Sequence, residues 1–163
     1  MRPTPRNRAF RLLDRRRWEG ISEHAKACGN RLKDAKILER EGRWRGAVYL
    51  AGYALECKLK HKLMVERGAQ RLGVLEERLH WDPYRHSLDE LGAKLSGWER
   101  MKQNNASFRL AWEQVRMWQV SWRYAPERLD DLGGRAAGEG DREAARRFML
   151  SVEEALRCIE ANV

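Results

Sequence analysis

Cysteine and long apolar runs are both scarce in this sequence, and each scarcity excludes a class of protein. The three cysteines, Cys28, Cys57 and Cys158, are odd in number, lie far apart and form no Cys-x-x-Cys pair. This spacing argues against a disulfide framework and against a zinc site. No apolar stretch approaches the roughly 18 residues that a membrane-spanning helix needs, and the basic N-terminus is not followed by the apolar segment of a secretory signal. We therefore expect a cytoplasmic protein with free thiols, and without a metal, a cofactor or a membrane contact.

Basic residues outnumber acidic ones, and the imbalance is greatest at the N-terminus. The formal net charge is +9, and the seven arginines of residues 1–20, set against Asp14 and Glu19, account for +5 of it. A basic arm over residues 1–20 followed by one domain over residues 21–163 describes this distribution, since the rest of the chain contributes only +4. The arm favours nucleic acid or another anionic partner, although a solubilising terminus explains the same charges. Its arginines are Arg2, Arg6, Arg8, Arg11, Arg15, Arg16 and Arg17.

Apolar residues recur with helical spacing over most of residues 21–163, and no strand pattern stands out. The spacing predicts a first helix over residues 21–40, ended at Gly42, and a second over residues 44–66. The second is apolar on nearly every side, which is typical of the central helix of a domain. Its Gly52 costs about 1 kcal/mol relative to alanine, so we expect close packing there to offset the cost.

The second half of the chain contains weaker helical signals. A connection with poor periodicity covers residues 67–85, and Ser87 to Glu90 fits a capping box that starts a short third helix. A fourth helix is predicted over residues 107–124 and is ended by Pro126. After a glycine-rich loop, Asp141 starts the last helix. The predicted fold is all-α, an antiparallel up-and-down bundle of four to five helices.

Three motifs along these helices occur in an order that is known from other proteins. The run from Gly42 to Lys60 contains the stretch AGYALECKLK, rich in small residues and tyrosine. A His-x-Leu-x-x-Leu helix start follows at His86, and a tryptophan-containing segment ends in Trp122-Arg123-Tyr124. Together these motifs resemble the HEPN superfamily (higher eukaryotes and prokaryotes nucleotide-binding). The resemblance extends over about residues 21–160.

The resemblance implies a HEPN-like bundle, often dimeric, of the kind found in toxin–antitoxin, phage-defence and RNA-processing systems. Many HEPN proteins are metal-independent ribonucleases whose signature is an arginine, four to six further residues and a histidine, late in the bundle. This sequence departs from that pattern, because no histidine follows His86. We therefore expect a non-catalytic, homodimeric module that binds RNA, a nucleotide, or a partner protein such as a nucleotidyltransferase or an antitoxin. An atypical metal-independent ribonuclease toxin and a structural dimerisation domain are the alternatives.

Metal-free RNA cleavage requires a base for the 2′-hydroxyl proton and a cation for the charge that develops on phosphate. His86 and Arg123 are the candidates for these two roles, since histidine titrates near neutral pH and arginine matches phosphate geometry. Glu56 is a third candidate, because a carboxylate in an apolar helix is costly to bury unless it is paired. In the structural interpretation His86 caps or packs beside the third helix, and Glu56 bridges to Lys60 or Arg123.

Basic and aromatic residues outside the arm offer further contacts for a nucleic acid. Arg43, Arg45 and Lys60 are candidates for phosphate contacts together with the arginines of the arm, although solvated helix ends explain them equally well. The tryptophans near the end of the predicted fourth helix suggest base stacking. Aromatic residues at helical spacing more often fill a core or a dimer interface, which is the interpretation we favour for Trp112, Trp118 and Trp122.

Overall fold

The computed structural model describes residues 19–124 and 140–162. Within these ranges the chain forms seven α-helices, one 3₁₀ helix and no strand, so the predicted all-α class is confirmed. The arginines of the predicted basic arm lie outside the described residues. The elements are α1 (Ile21–Arg40), α2 (Trp44–Glu66), α3 (Leu72–Leu79), α4 (Leu88–Ala93), α5 (Trp98–Asn104), α6 (Ala106–Val115), the 3₁₀ helix (Val120–Tyr124) and α7 (Asp141–Asn162).

Helix α2 is the central helix, as its composition predicts. It contacts α1, α3, α4, α7 and the 3₁₀ helix. Gly42 ends α1 in a left-handed conformation with φ 69°, and its N–H and that of Arg43 donate to the carbonyls of Glu39 and Leu38. These are the two hydrogen bonds of a Schellman motif, so the turn into α2 is short and the two helices form an antiparallel hairpin.

Side-chain contacts fix the directions of α6 and α7. Glu160, near the end of α7, lies 3.4 Å from the Lys62 ammonium near the end of α2, so α7 runs parallel to α2. Asn105, which caps the start of α6, lies 3.4 Å from the Cys158 sulfur near the end of α7. Helix α6 is therefore antiparallel to both, and the short helices α3, α4 and α5 occupy the connection between α2 and α6.

The predicted fourth helix is wrong in extent. In the structure, helix α6 ends at Val115 rather than at Tyr124, and a 3₁₀ helix follows from Val120. The cause is tertiary, because the Trp118 indole lies against Gly52 of α2 and its Nε1–H donates to the Tyr49 carbonyl at 3.2 Å. The chain leaves the helical path to place this ring. Helices α3 and α5 were not predicted from the weak periodicity of their segments.

Three tryptophans from α5, α6 and the segment after α6 are core residues: Trp98, Trp112 and Trp118. Trp112 and Trp118 are only 1% and 2% exposed, which confirms the core interpretation for these two. Trp98 packs edge-on against Trp112 with ring centroids 4.7 Å apart. Trp122 is half-buried, and its ring centroid lies 6.1 Å from that of Phe148 in α7.

The three cysteines are free thiols in the structure. Cys57 and Cys158 are buried and Cys28 is half-buried. Burial raises the pKa of the Cys57 thiol to about 12, so its thiol is a packing group rather than a nucleophile. None of the described helices is both long enough and apolar enough to cross a membrane.

Candidate functional site

A buried polar centre joins three of the residues that the sequence singled out. Lys60 donates to Glu56 at 2.6 Å, one helical turn along α2, so the predicted bridge between them is confirmed. The Nδ1 atom of His86 lies 3.0 Å from both carboxylate oxygens of Glu56. Glu56 and Lys60 are only 1% and 4% exposed. Each charge of this pair is therefore offset by the other, as burial in an apolar helix requires.

The position of His86 over Glu56 follows from the start of α4. Ser87 caps this helix, since its hydroxyl accepts the Glu90 N–H at 3.2 Å as the capping box predicts. Leu88 and Leu91 are fully buried and hold α4 against α2. His86 immediately precedes the cap, so the same packing places its ring above the buried carboxylate.

Hydrogen bonding to Glu56 fixes which nitrogen of the neutral His86 ring carries the proton. A carboxylate only accepts hydrogen bonds, so Nδ1 is the donor and Nε2 is the acceptor when the ring is neutral. The His86 side chain is 43% exposed, whereas the Glu56 side chain is 2% exposed. The result is a carboxylate–imidazole dyad that is anchored inside the bundle and exposes its outer face, an arrangement suited to accepting a proton or a hydrogen bond.

An open cavity of about 530 Å³ lies next to the His86 ring. Two of its lining cations are held by carboxylates: Arg85 pairs with Glu90 at 3.0 Å, and Arg116 pairs with Asp89 at 2.8 Å. These carboxylates raise the pKa of both guanidinium groups, so both remain charged. The lining residues are Arg85, His86, Ser87, Glu90, Arg116, Met117, Trp118, Gln119, Val120 and Ser121.

Arg123 is not part of this centre. Its guanidinium lies 4.6 Å from the ring centroid of Tyr124, and the side chain is exposed. It does not line the cavity at His86, and no ion pair joins it to Glu56 in the described structure. Of the three candidate catalytic residues, the structure therefore brings together His86 and Glu56, with Lys60 as a third member.

Two further histidines, missed by sequence reasoning, lie where α1 packs on α2. Burial lowers the pKa of His24, and the nearby Lys60 ammonium lowers it further, although the His24 ring also hydrogen-bonds the Gly20 carbonyl at 3.0 Å. Burial likewise lowers the pKa of His61. Only the packing of α1 on α2 brings His24 near Lys60 and Glu56, and no local motif signals it.

The last residues of the basic arm are held by the segments on either side of α3, one of which leads into His86. Ile21 N–H donates to the Gln70 carbonyl and Leu72 N–H donates to the Glu19 carbonyl, both at 3.1 Å. The Tyr84 hydroxyl lies 3.0 Å from the Glu19 carboxylate, and Tyr84 is two residues before His86. Residue 19 is thereby fixed to the chain that leads into His86.

The other basic candidates occupy different places. Arg43 and Arg45 lie at the start of α2 and line a groove with Trp44. Lys60 lies about 16 residues further along the same helix, roughly 24 Å away, and its ammonium faces Glu56 inside the bundle. The three residues therefore do not form one surface patch.

Neither a metal nor a known relative identifies the site. Among residues 19–124 and 140–162, no group of three or more His, Cys, Asp or Glu side chains is placed to hold a metal ion. Comparison of the chain with models of protein families, with curated proteins and with solved structures finds no significant match.

Proposed function

We propose that this chain is a HEPN-like helical module that binds RNA or a nucleotide at the His86 cavity, with the basic arm as a second contact. The observation that supports the proposal is the position of residue 19. The Tyr84–Glu19 hydrogen bond fixes the end of the arm to the segment that leads into His86. An arm with a net charge of +5 and an imidazole acceptor are thus available to one anionic ligand.

The two parts of this surface have complementary roles. Arginines of the arm provide salt-dependent phosphate contacts that are independent of sequence. The cavity offers His86 Nε2 as an acceptor, and Ser121 and Gln119 as further polar groups, for the sugar or the base. Their positions on a folded surface allow contacts of defined geometry.

The setting of the module is proposed from the HEPN resemblance alone. The alternating directions of α1, α2, α6 and α7 are compatible with a HEPN-like bundle. On that resemblance we place the chain in a toxin–antitoxin or phage-defence system, as a homodimer with a nucleotidyltransferase or antitoxin partner.

RNA binding is tested by fluorescence anisotropy with a labelled single-stranded RNA, at several salt concentrations. Deletion of residues 1–17 removes seven arginines, and we expect the affinity to fall about tenfold or more and the salt dependence to weaken by roughly 0.7 per lost phosphate contact. His86→Ala should weaken binding without changing the salt dependence, because an uncharged contact releases no counterion.

A matched control for this test replaces two exposed lysines of α1. Lys26 and Lys33 have no ion pair in the described structure, so Lys26→Ala/Lys33→Ala lowers the net charge without touching the cavity. Full affinity after both the arm deletion and His86→Ala would rule out the proposal.

Metal-independent RNA cleavage is the second candidate function, and the Glu56–His86 dyad is the observation that favours it. His86 Nε2 would accept the 2′-hydroxyl proton while the 2′-oxygen attacks phosphorus and the bond from phosphorus to the 5′-oxygen breaks. The 5′-oxygen of the departing strand would take a proton from water. The cyclic 2′,3′-phosphate is the other product. Arg116, which lines the cavity together with Arg85, would stabilise the phosphorane, whereas Arg123 does not line the cavity. Its pairing with Asp89 and Glu113 makes catalysis the second rather than the first candidate.

Cleavage is tested with chelator-treated protein and end-labelled RNA. If the dyad is catalytic, Glu56→Gln and His86→Asn should each slow cleavage by about a hundredfold or more, and Arg116→Ala should slow it while Arg123→Ala does not. Thermal unfolding of each variant identifies losses that come from unfolding. RNA that stays intact with the wild-type protein would eliminate this candidate and leave the binding module.

A further inference from the structure

A groove of about 720 Å³ lies apart from the cavity at His86 and shares no lining residue with it. It is formed where the end of α1 meets the start of α7. Trp44, which lines the groove, begins α2 and lies 12 residues before Glu56 on this helix, so the groove is roughly 18 Å from the dyad. Its lining residues are Glu39, Arg40, Glu41, Gly42, Trp44, Arg142, Arg146, Met149, Leu150 and Glu153.

Three exposed arginines line this groove without an acceptor for their guanidinium groups. Arg40, Arg142 and Arg146 have no ion pair or hydrogen bond through their side chains with any residue in the described ranges. The adjoining groove around Trp44 adds Arg43, which is likewise exposed and unpaired there. Elsewhere on the domain several arginines are paired with carboxylates, as Arg116 and Arg157 are. Unpaired arginines gathered around one groove are typical of a phosphate-binding surface.

Carboxylates in the groove limit which anions it binds. Glu39, Glu41 and Glu153 match the three arginine charges, and Glu153 is held by Lys36 at 2.5 Å. A bare anion would therefore gain little net attraction. A ligand that bears hydroxyl or amine donors as well as phosphate would use both charges, because the carboxylates accept its hydrogen bonds.

Trp44 provides an aromatic surface between the two grooves. One part of its indole packs over Gly42, where a Cβ would lie 3.6 Å from the ring. The residue is half-buried and lines both grooves. Leu150, 57% exposed, extends the apolar surface beside it. A flat apolar ring system can rest here, since stacking of a base on an aromatic side chain stabilises nucleic-acid complexes.

We infer that this groove is a second binding site, for a nucleoside phosphate. The base contacts Trp44 and Leu150, the phosphate contacts Arg142 and Arg146, and Glu39 or Glu41 accepts hydrogen bonds from the sugar hydroxyls or the base. The site is independent of the cavity at His86 and extends the proposed function. A free mononucleotide and the phosphorylated end of an RNA strand present the same chemistry.

The test measures binding of three probes to the full chain: AMP and inorganic phosphate by calorimetry, and a 5′-phosphorylated RNA hexamer, labelled at its 3′ end, by anisotropy. Arg142→Ala/Arg146→Ala should weaken binding of the nucleoside phosphate about tenfold or more. Trp44→Leu should weaken it as well, and Trp44→Phe should restore most of the affinity because stacking is retained. Lys26→Ala/Lys33→Ala, which removes the same charge from α1, should change it by less than about twofold.

Each outcome decides the inference. AMP binding that depends on the arginines supports a free nucleotide as the ligand, whereas binding of the hexamer alone supports a strand end. Equal affinity of wild type and Arg142→Ala/Arg146→Ala for every probe overturns the site, as does phosphate binding as tight as AMP binding, or no binding at all. Because both arginines are exposed, this double variant remains informative even if Trp44→Leu fails to fold.

The proposed function and the second site fail in different experiments. RNA binding that depends on residues 1–17 and His86 but not on Arg142 and Arg146 overturns only the second site. Nucleotide binding that depends on these two arginines alone overturns the His86 proposal and leaves the second site standing.

Discussion

Single glycines determine where two tryptophans enter the core. A Cβ at Gly52 would overlap the indole of Trp118, and a Cβ at Gly92 would overlap that of Trp98. At each position the missing side chain allows an indole to lie directly on a helix backbone. For Trp118 this close approach also provides the hydrogen bond from Nε1–H to the Tyr49 carbonyl. The conformational cost of Gly52 in a helix is therefore offset by packing, as its setting in an apolar helix predicted.

Gly52→Ala should destabilise the fold. The added methyl group displaces the Trp118 ring, and overpacking of this kind costs about 1–3 kcal/mol, more than the roughly 1 kcal/mol that alanine gains in helix propensity. Gly29 of α1 is the matched control, because a Cβ there meets no atom within 4 Å. Gly29→Ala should raise the free energy of unfolding by about 0.5–1 kcal/mol. Urea unfolding of both variants measures the difference, and a Gly52→Ala protein as stable as Gly29→Ala would refute the packing argument.

Residue-level prediction of the candidate site succeeded only where local geometry sufficed. Glu56 and Lys60 are four residues apart on one helix, so their contact follows from helical spacing. His86 was chosen from a motif, and its contact with Glu56 depends on the packing of α4 against α2. His24 lies at the same centre through the packing of α1 on α2, which no local pattern encodes. Arg123 was chosen from a motif too, and its side chain instead lies against Tyr124.

Among the elements, α1 and α2 were predictable to the residue because their signals agree. Both have apolar periodicity over at least 20 residues, and Gly42 between them adopts the positive φ that a helix end with a Schellman motif requires. The start of α4 was predictable for a similar reason, since the Ser87 cap is encoded within four residues.

The shorter elements lack such local signals. Helix α3 has no side-chain cap at its start, and His80 rather than glycine adopts the left-handed conformation at its end. Gly97, the N-cap of helix α5, has φ 77°, a conformation more typical of a helix end. The early end of α6 depends on the contact of Trp118 with Gly52, 66 residues earlier in the chain. The spacing of Trp118 and Trp122 suits a helix, but the binding of Trp118 to α2 prevails.

At the scale of the whole molecule, the two proposed binding sites lie at different positions along the hairpin of α1 and α2. The attachment of the basic arm lies at the start of α1, the dyad lies beside its first half, and the arginine-lined groove lies at its end. Helix α2 connects the two sites, since Trp44 begins it and Glu56 and Lys60 lie in its second half. A rigid apolar helix of 23 residues thus holds the two proposed anion sites at a fixed separation, which suits one strand that contacts both.

The half-buried histidines His24 and His61 make the stability of the whole domain depend on pH. Burial holds the pKa values of His24 and His61 below the ordinary 6.5, so between their folded values and pH 6.5 the unfolded chain binds more protons than the folded one. The free energy of unfolding should therefore be highest above pH 6.5 and fall as the pH drops below it. Glu154 and Glu160, whose pKa values are lowered by Arg157 and Lys58, act in a separate window below 4.5.

Substitution of both histidines tests their contribution to the pH dependence of stability. We expect His24→Gln/His61→Gln to flatten the pH dependence of stability between pH 7 and 5, since neither glutamine titrates, and to leave the loss below pH 4.5 in place. Urea unfolding at a series of pH values measures both slopes. His80→Asn serves as the control, because His80 is exposed and its left-handed backbone tolerates asparagine. If the double variant keeps the wild-type slope between pH 7 and 5, proton binding at the interface of α1 and α2 does not limit stability, and the dependence must come from other groups.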